Sequence, residues 1–184
     1  MTSSDKGRAG SGIVREGSLV RLRIASAADL DYIMATENSP ENIRFIVPEE
    51  RSFHRSGLSG PDMVHLIVEE QATGERVGFL MVNNLRSPDH EVEWRKVIIN
   101  KKGHGYGREA MLLLMAWSFE DLGFHRGWVD CKDFNDRALH LYESVGMKRE
   151  ALLRETLCTN GKYENLVVLG ILDREYNEMK KSIK

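Results

Sequence analysis

Three glycines fall within five residues in Lys101-Lys102-Gly103-His104-Gly105-Tyr106-Gly107-Arg108. Closely spaced glycines let successive backbone N–H groups converge on one point. A helix starting there adds its unpaired N–H groups and positive dipole end, an arrangement suited to a phosphate. Arg95, Lys96, Lys101, Lys102 and Arg108 put five cations and no acid into fourteen residues, which implies a polyanionic ligand. Just upstream, Asp89, Glu91 and Glu93 form an acidic run. A two-residue period places Glu91 and Glu93 on one face of a strand, so a cationic group would be drawn to one end of that strand and phosphates to the other. Further on, Asn135 and Tyr142 stand seven residues apart, about two helical turns, and so point the same way.

Two phosphate-binding motifs compete for the glycine loop. A Walker A loop ends in Gly-Lys-Ser/Thr, whereas this one ends in Gly107-Arg108-Glu109. Gly105 to Ala110 matches the dinucleotide fingerprint GxGxxA, and Asp130 lies where a ribose-binding acid would belong. That loop should leave its strand at the first glycine, yet Asn100, Lys101 and Lys102 intervene, and too few helix and strand alternations follow for a dinucleotide domain.

The elements around the loop read as follows. Leu19–Ile24 alternates apolar and basic residues, a half-buried strand. Ala27–Asn38 has helical spacing, and Ser39-Pro40 predicts the start of another short helix. Residues 47–62 carry two prolines and two glycines with little periodicity, so a long loop is expected there. Met63–Glu69 and Arg76–Asn83 read as a hairpin, and His90–Asn100 as a further strand. Ala110–Leu122 is a helix closed by Gly123; Arg126–Lys132 is a strand; Asn135 opens a helix closed by Gly146. Two last strands, Met147–Thr156 and Tyr163–Leu172, meet at an Asn160-Gly161 turn. The fold class is α+β, a mixed α/β sheet.

At 184 residues, with 26 basic and 28 acidic side chains, the chain has one domain's worth of material and a net charge of −2. That balance argues against coating nucleic acid or membrane, and no apolar run is long enough to span a bilayer. Cys131 and Cys158 lie in no ligand-spaced cluster, so no metal is expected, and two lone thiols fit a reducing cytoplasm. Residues 1–17 read as a flexible tail, 18–176 as the domain, and 177–184, with Lys180, Lys181 and Lys184, as a basic solvated end.

Lys102-Gly103-His104-Gly105-Tyr106-Gly107 resembles the pyrophosphate-binding loop of the GCN5-related N-acetyltransferase (GNAT) family, written Arg/Gln-x-x-Gly-x-Gly/Ala, with Lys102 in the Arg/Gln place. Asn135-Asp-Arg-Ala138 through Tyr142 to Gly146-Met147 resembles the family's N-x-x-A-x-x-x-Y-x-x-x-G-F signature, with Met147 for Phe. Arg149–Glu155 and Gly161–Glu164 are similar to the branch holding ribosomal-protein-alanine and spermidine acetyltransferases. The resemblance, from Leu19 to Tyr176, implies a mostly antiparallel seven-stranded sheet with one splayed parallel pair flanked by helices. It implies an acetyl-CoA-dependent N-acetyltransferase acting on the primary amine of a small molecule or a peptide or protein N-terminus, by direct attack in a ternary complex. No covalent nucleophile is expected, since Cys131 has no histidine near it in sequence. The alternative is a catalytically weak acyl-CoA-binding regulatory module on the same fold; a homodimer is possible.

The resemblance also assigns roles. Glu93 is the expected general base and Tyr142 the acid for the leaving thiolate. Val97 and Ile99 would offer backbone groups to the pantetheine arm, and Lys102, Gly103, His104, Gly105, Tyr106, Gly107 and Arg108 would hold the diphosphate. Asn135, Ala138 and Tyr142 would contact the coenzyme from the following helix. Independently of the resemblance, Trp94 or Glu49 is the alternative for defining the amine pocket.

Overall fold

A computed structural model describes residues 12–182. Eight strands form one sheet: β1 (Ile13–Glu16), β2 (Val20–Ile24), β3 (Val64–Glu70), β4 (Arg76–Asn83), β5 (Glu91–Ile99), β6 (Arg126–Lys132), β7 (Lys148–Thr159) and β8 (Lys162–Leu172), ordered β1-β2-β3-β4-β5-β6-β8-β7. All neighbours are antiparallel except β5 and β6. The α-helices among the described residues are α1 (Leu30–Glu37), α2 (Arg51–Ser59), α3 (Tyr106–Ala116), α4 (Asp136–Ser144) and α5 (Asp173–Ser182), with a 3-10 turn at Ala27–Asp29 and a π-helical turn at Trp117–Asp121. Ile33 of α1, with Phe53 and Leu58 of α2, packs on Ile67, Phe79, Met81 and Ile98 from one face of the sheet. Met111 and Leu114 of α3, Leu139 and Tyr142 of α4, and Tyr176 of α5 pack on Leu66, Leu80, Val92 and Val129 from the other.

Three sequence expectations are corrected, and the basic end has more structure than the sequence reading gave it. The sheet has eight strands rather than seven, because Ile13–Glu16, assigned to the tail, pairs with β2. Arg15 ties that strand down, its Nη2 lying 2.7 Å from Asp121 and 3.1 Å from Glu120; residues 1–11 of the tail fall outside the described residues. The short helix expected at Pro40 is a run of turns, with the N–H groups of Asn42 and Ile43 both returning to the Ser39 carbonyl. The expected long loop contains α2, whose buried positions are His54 and Gly57, so no apolar stripe announces it. The basic end is helical. Tyr176 is buried, its hydroxyl donates to Glu120 at 2.6 Å, and Lys180 pairs with the same carboxylate; Lys184 lies outside the described residues.

Two details fix the centre of the sheet. Trp94 of β5 is fully buried on the α3 side, its indole N–H donating to Ser118 Oγ at 3.1 Å, and its ring lies so close to Gly127 that a Cβ there would sit 2.4 Å from it. Glycine at this point lets β5 and β6 come together. They pair for only Glu91–Glu93 against Arg126–Trp128 and then separate. The start of β2 is held to α3 by Glu109, whose carboxylate accepts the backbone N–H groups of Ser18, Leu19 and Val20 at 2.6–3.0 Å.

Candidate active site

The helix α3 begins at Gly105, whose φ of +80° only glycine adopts without strain. Its first intrahelical bond is from Glu109 N–H to Gly105 O, so the N–H groups of Tyr106, Gly107 and Arg108 are free to face a ligand. They open onto a cleft of about 1380 Å³ running between α3, α4, the end of β5 and the turns at Pro40–Ile46. Val97, Ile99, Lys102, Gly103, Gly105, Tyr106, Gly107, Arg108, Asn135, Ala138 and Tyr142 all line it. His104 does not. Its ring stacks on Tyr106 at 5.3 Å between centroids, and its Nδ1 donates to the Lys102 carbonyl at 2.8 Å, which keeps it outside the cleft.

Gly107 tests whether this cleft fits a diphosphate. Its φ is not positive, and an added Cβ would meet only Leu141 at 3.6 Å and Ile99 at 3.8 Å. Neither backbone conformation nor packing within the protein requires glycine here. A phosphate approaching the helix N-terminus would need the space that a side chain here would fill. Beyond the glycine loop, the splay of β5 from β6 leaves the β5 edge from Trp94 to Ile99 without strand partners on that side, and backbone groups there are available to an amide-bearing arm.

The cations counted along the sequence do not act together. Arg95 and Lys96 belong to the other side of the sheet, where they meet Glu49 and Glu37. Lys101 pairs with Glu70 at 3.1 Å and Lys102 with Glu41 at 3.0 Å. Arg44 and Arg137 join Arg108 in lining the cleft, and nothing local in the sequence links Arg44 to the loop. Asn135 caps α4, its side chain accepting the Ala138 N–H at 3.3 Å. Tyr142 is buried, and that burial, with smaller contributions from Cys131 and Asp130, pushes its phenol well above the ordinary range. Burial also pushes the Cys131 thiol up to about 12, so it keeps its proton at neutral pH.

Glu93 lies at the vertex of the splay, paired with Trp128 of β6. A bulge in β5 near Trp94 and Arg95 inverts the strand's alternation. Val92 and Trp94 before it, and Val97 and Ile99 after it, share the α3 face, whereas Ile98 packs on the α1 side and Lys96 meets Glu37 of α1. Glu93 faces the α1 side with Asn83, whose Nδ2 donates to Glu93 Oε2 at 2.9 Å. Burial raises the Glu93 pKa, and Asp130 and Glu91 add to that, against Asn83 and Arg95. Asp130, two residues beyond Trp128 on β6, is likewise raised by burial and held down by Arg95. Trp128 Nε1 and Asn83 Oδ1 are buried with no hydrogen-bond partner among the described residues.

Trp94, a candidate for the amine pocket, lies on the α3 side and is committed to Ser118. Glu49 does stand on the Glu93 side, with its Oε1 2.6 Å from Arg95. Sequence reasoning missed Asp130 in this setting, although the alternation of Arg126–Lys132 puts Trp128, Asp130 and Lys132 on one face. It also missed the chain of buried groups behind Glu49. Glu37 and His54 are 0% exposed and lie 3.0 Å apart, Lys96 Nζ is 2.5 Å from Glu37, and His54 Nδ1 is 3.0 Å from His65 Nε2.

Fold and cleft together define a coenzyme-binding transferase: a splayed parallel pair with a glycine loop and helix N-terminus at one end and half-buried carboxylates at the other. The sequence profile of the acetyltransferase (GNAT) domain matches residues 20–148. The chain belongs to that family, and it is an acetyl-CoA-dependent N-acetyltransferase. It is 22% identical over 166 residues to the spermidine N(1)-acetyltransferase of Escherichia coli (strain K12), covering 85% of this chain and 88% of that one. It is 26% identical over 110 residues to the Vibrio cholerae enzyme of the same name, covering 59% and 64%. Among solved structures, a GCN5-related N-acetyltransferase from Brucella melitensis superposes with a TM-score of 0.76 at 20% identity, covering 95% of this chain and 84% of that one. The Vibrio cholerae spermidine N-acetyltransferase in complex with CoA and spermine does so with a TM-score of 0.77 at 22% identity, covering 88% and 99%.

Proposed function

We propose that the protein transfers the acetyl group of acetyl-CoA to the primary amine of a small cationic acceptor, by direct attack with both substrates bound. The carrying observation is the arrangement of Glu93 at the vertex of the β5–β6 splay, on the face opposite to α3 and α4, with Asp130 and Glu91 acting on it, Arg95 3.9 Å from its Oε1 and Glu49 on the far side of Arg95. Such a face attracts an ammonium group and repels an anion. In this reading the loop Lys102–Arg108 and α4 hold the coenzyme, whose thioester supplies the acetyl group. Glu93 takes the proton that the ammonium must lose before it attacks, and the Tyr142 hydroxyl donates a hydrogen bond, then a proton, to the departing sulfur. A raised Tyr142 pKa keeps the phenol protonated and ready to donate.

Polyamines are the first acceptors to test, because the curated relatives are named for spermidine, and the acidic face suits a molecule with more than one ammonium group. The two free thiols, Cys131 and Cys158, accord with a reducing compartment such as the cytoplasm. The experiment is thiol release from acetyl-CoA across a panel of spermidine, spermine, Ala- and Ser-initiated peptides and an aminoglycoside. Saturable release with an amine, with the mass of the acetylated product confirmed, supports the reading. Tight acetyl-CoA binding without release for any amine would instead favour a regulatory acyl-CoA-binding module.

A further inference from the structure

The Arg95 guanidinium stands between acids it does not treat alike. Its Nη2 is 2.6 Å from Glu49 Oε1, whereas its Nη1 is 3.9 Å from Glu93 Oε1, beyond hydrogen-bond reach. The cation also lies over the Phe53 ring, 5.6 Å from its centroid. Glu93 Oε2 is occupied by Asn83, so Oε1 is the edge left for an incoming proton.

Glu49 is itself held in place from behind. Its backbone N–H donates to Glu37 Oε2 at 3.0 Å, and Lys96 Nζ donates to the Val47 carbonyl at 2.9 Å and to Glu37 Oε1 at 2.5 Å. His54 completes Glu37 and is in turn met by His65. None of Glu37, Glu49, His54, His65 or Lys96 lines the coenzyme cleft. Desolvating a Lys–Glu pair costs several kcal/mol per ion before the attraction between the two offsets it. Here that buried pair fixes the segment 47–50, and the polar group this segment presents to Arg95 is Glu49.

We propose that Glu49 is a positioning residue that holds Arg95 away from Glu93 and so keeps the Glu93 carboxylate free as a proton acceptor. The proposal rests on the reading of Glu93 as the base. The groups facing Glu93 are Asn83 from β4, Glu91 and Arg95 from β5, Asp130 from β6 and, through Arg95, Glu49 from the segment before α2. Lys96 pairs with Glu37 at 2.5 Å and stands 3.9 Å from Glu49 Oε1, so its closer anion is Glu37 while Arg95 is the closer cation to Glu49. Without Glu49, Arg95 loses its nearest anion and closes on Glu93, whose pKa then falls and whose free oxygen is covered.

The test uses the full-length Glu49→Ala variant, which keeps the backbone bond to Glu37 and removes a side chain 20% exposed, with circular dichroism to verify the fold. The expected result is a fall in kcat/KM for the amine of about 10-fold, an acid limb of the pH profile moved down by about one unit, and an unchanged coenzyme Kd. Adding Arg95→Met to Glu49→Ala should recover at least about 5-fold of the loss, because the cation that closes on the base is gone. A Glu49→Ala variant with the wild-type limb, or a double variant no faster than the single, overturns the proposal. Glu93→Gln separates the two failures. If Glu93→Gln is impaired while Glu49→Ala is not, the positioning role alone is wrong; if Glu93→Gln is fully active, the base assignment fails as well.

Discussion

Glu93 and Tyr142 approach the gap between β5 and β6 from opposite faces of the sheet. Glu93 shares its face with Asn83 and the α1 side, whereas Tyr142 comes from α4 in the cluster that holds Val129 and Cys131. The bulge in β5 is what makes this possible, since it turns Glu93 to one face and Val97 to the other although their numbers have the same parity. An amine and a thiol leaving group on the two sides of one gap would each meet its own proton-handling residue, with no need for either to cross the sheet.

Tyr142→Phe should keep the coenzyme Kd within about two-fold of wild type and lower kcat by about 10- to 100-fold. The influences acting on the Tyr142 phenol are its burial and the Coulombic effects of Cys131 and Asp130, with no side-chain hydrogen bond among them, so loss of the hydroxyl breaks no such bond within the protein. Isothermal titration with CoA and steady-state kinetics with the best amine check this. An unaltered kcat would remove Tyr142 from the proton path.

Gly107→Ala separates the ligand's need for glycine from the protein's. Contacts of 3.6 Å to Leu141 and 3.8 Å to Ile99 are ordinary for a Cβ, so the denaturation midpoint should stay near wild type. Coenzyme affinity should fall by about 10-fold or more, as the methyl group displaces a phosphate from the α3 N-terminus. Equal affinity in the two proteins would contradict the placement of the diphosphate.

Gly127→Ala is predicted to act on the fold. A Cβ 2.4 Å from the Trp94 ring must push β5 and β6 apart, at a cost of about 1–3 kcal/mol. Urea denaturation reads this directly, and Trp94→Phe in the same chain should return part of the loss. A Gly127→Ala protein as stable as wild type would mean that the ring can move aside freely.

His65 makes stability depend on pH. Burial, and then the neighbouring His54, lowers its pKa from 6.5 to about 4, so the folded protein keeps it neutral. Below 6.5 the unfolded chain takes the proton first, and stability therefore falls as pH drops from about 6.5 towards about 4, by a total on the order of 3 kcal/mol. Glu37, held below the usual carboxylate range by His54 and Lys96 against its burial, adds a loss at still lower pH as it takes up a proton. His65→Gln keeps a donor for His54 and does not titrate. Urea midpoints at pH 7 and pH 5 should differ less in this variant than in wild type; an identical difference would show that the acid sensitivity lies elsewhere.

Much of this architecture was legible from periodicity and turns. The strand Arg126–Lys132 and the Asn160-Gly161 turn, with φ values of +51° and +79°, stand where alternation and turn chemistry put them. The glycine loop was legible for the same local reason: its residues are contiguous. What escaped notice has a physical cause in each case. Helix α2 buries a histidine and a glycine, so an apolar count passes over it; Gly57 is required because a Cβ there would meet Met63 at 2.4 Å and His65 at 2.7 Å. Helix α5 buries Tyr176 and packs Met179, too few apolar residues to mark a face. The bulge in β5 inverts which side chains share a face without any proline or glycine to signal it. Asp130, which acts on Glu93, and Glu49, which is linked to it through Arg95, stand 37 and 44 residues from it in sequence, and only the fold brings them together.

The central claim is that Glu93 receives the amine's proton, and the pH dependence of kcat/KM for the best acceptor in wild type and Glu93→Gln tests it most directly. Burial raises the Glu93 pKa, so wild-type activity should fall off on the acid side through a limb above the usual carboxylate value. Glu93→Gln should lose about 10²- to 10³-fold in kcat/KM, lack that limb and bind coenzyme as wild type does. A Glu93→Gln enzyme with wild-type kcat/KM and an unmoved acid limb would contradict the account.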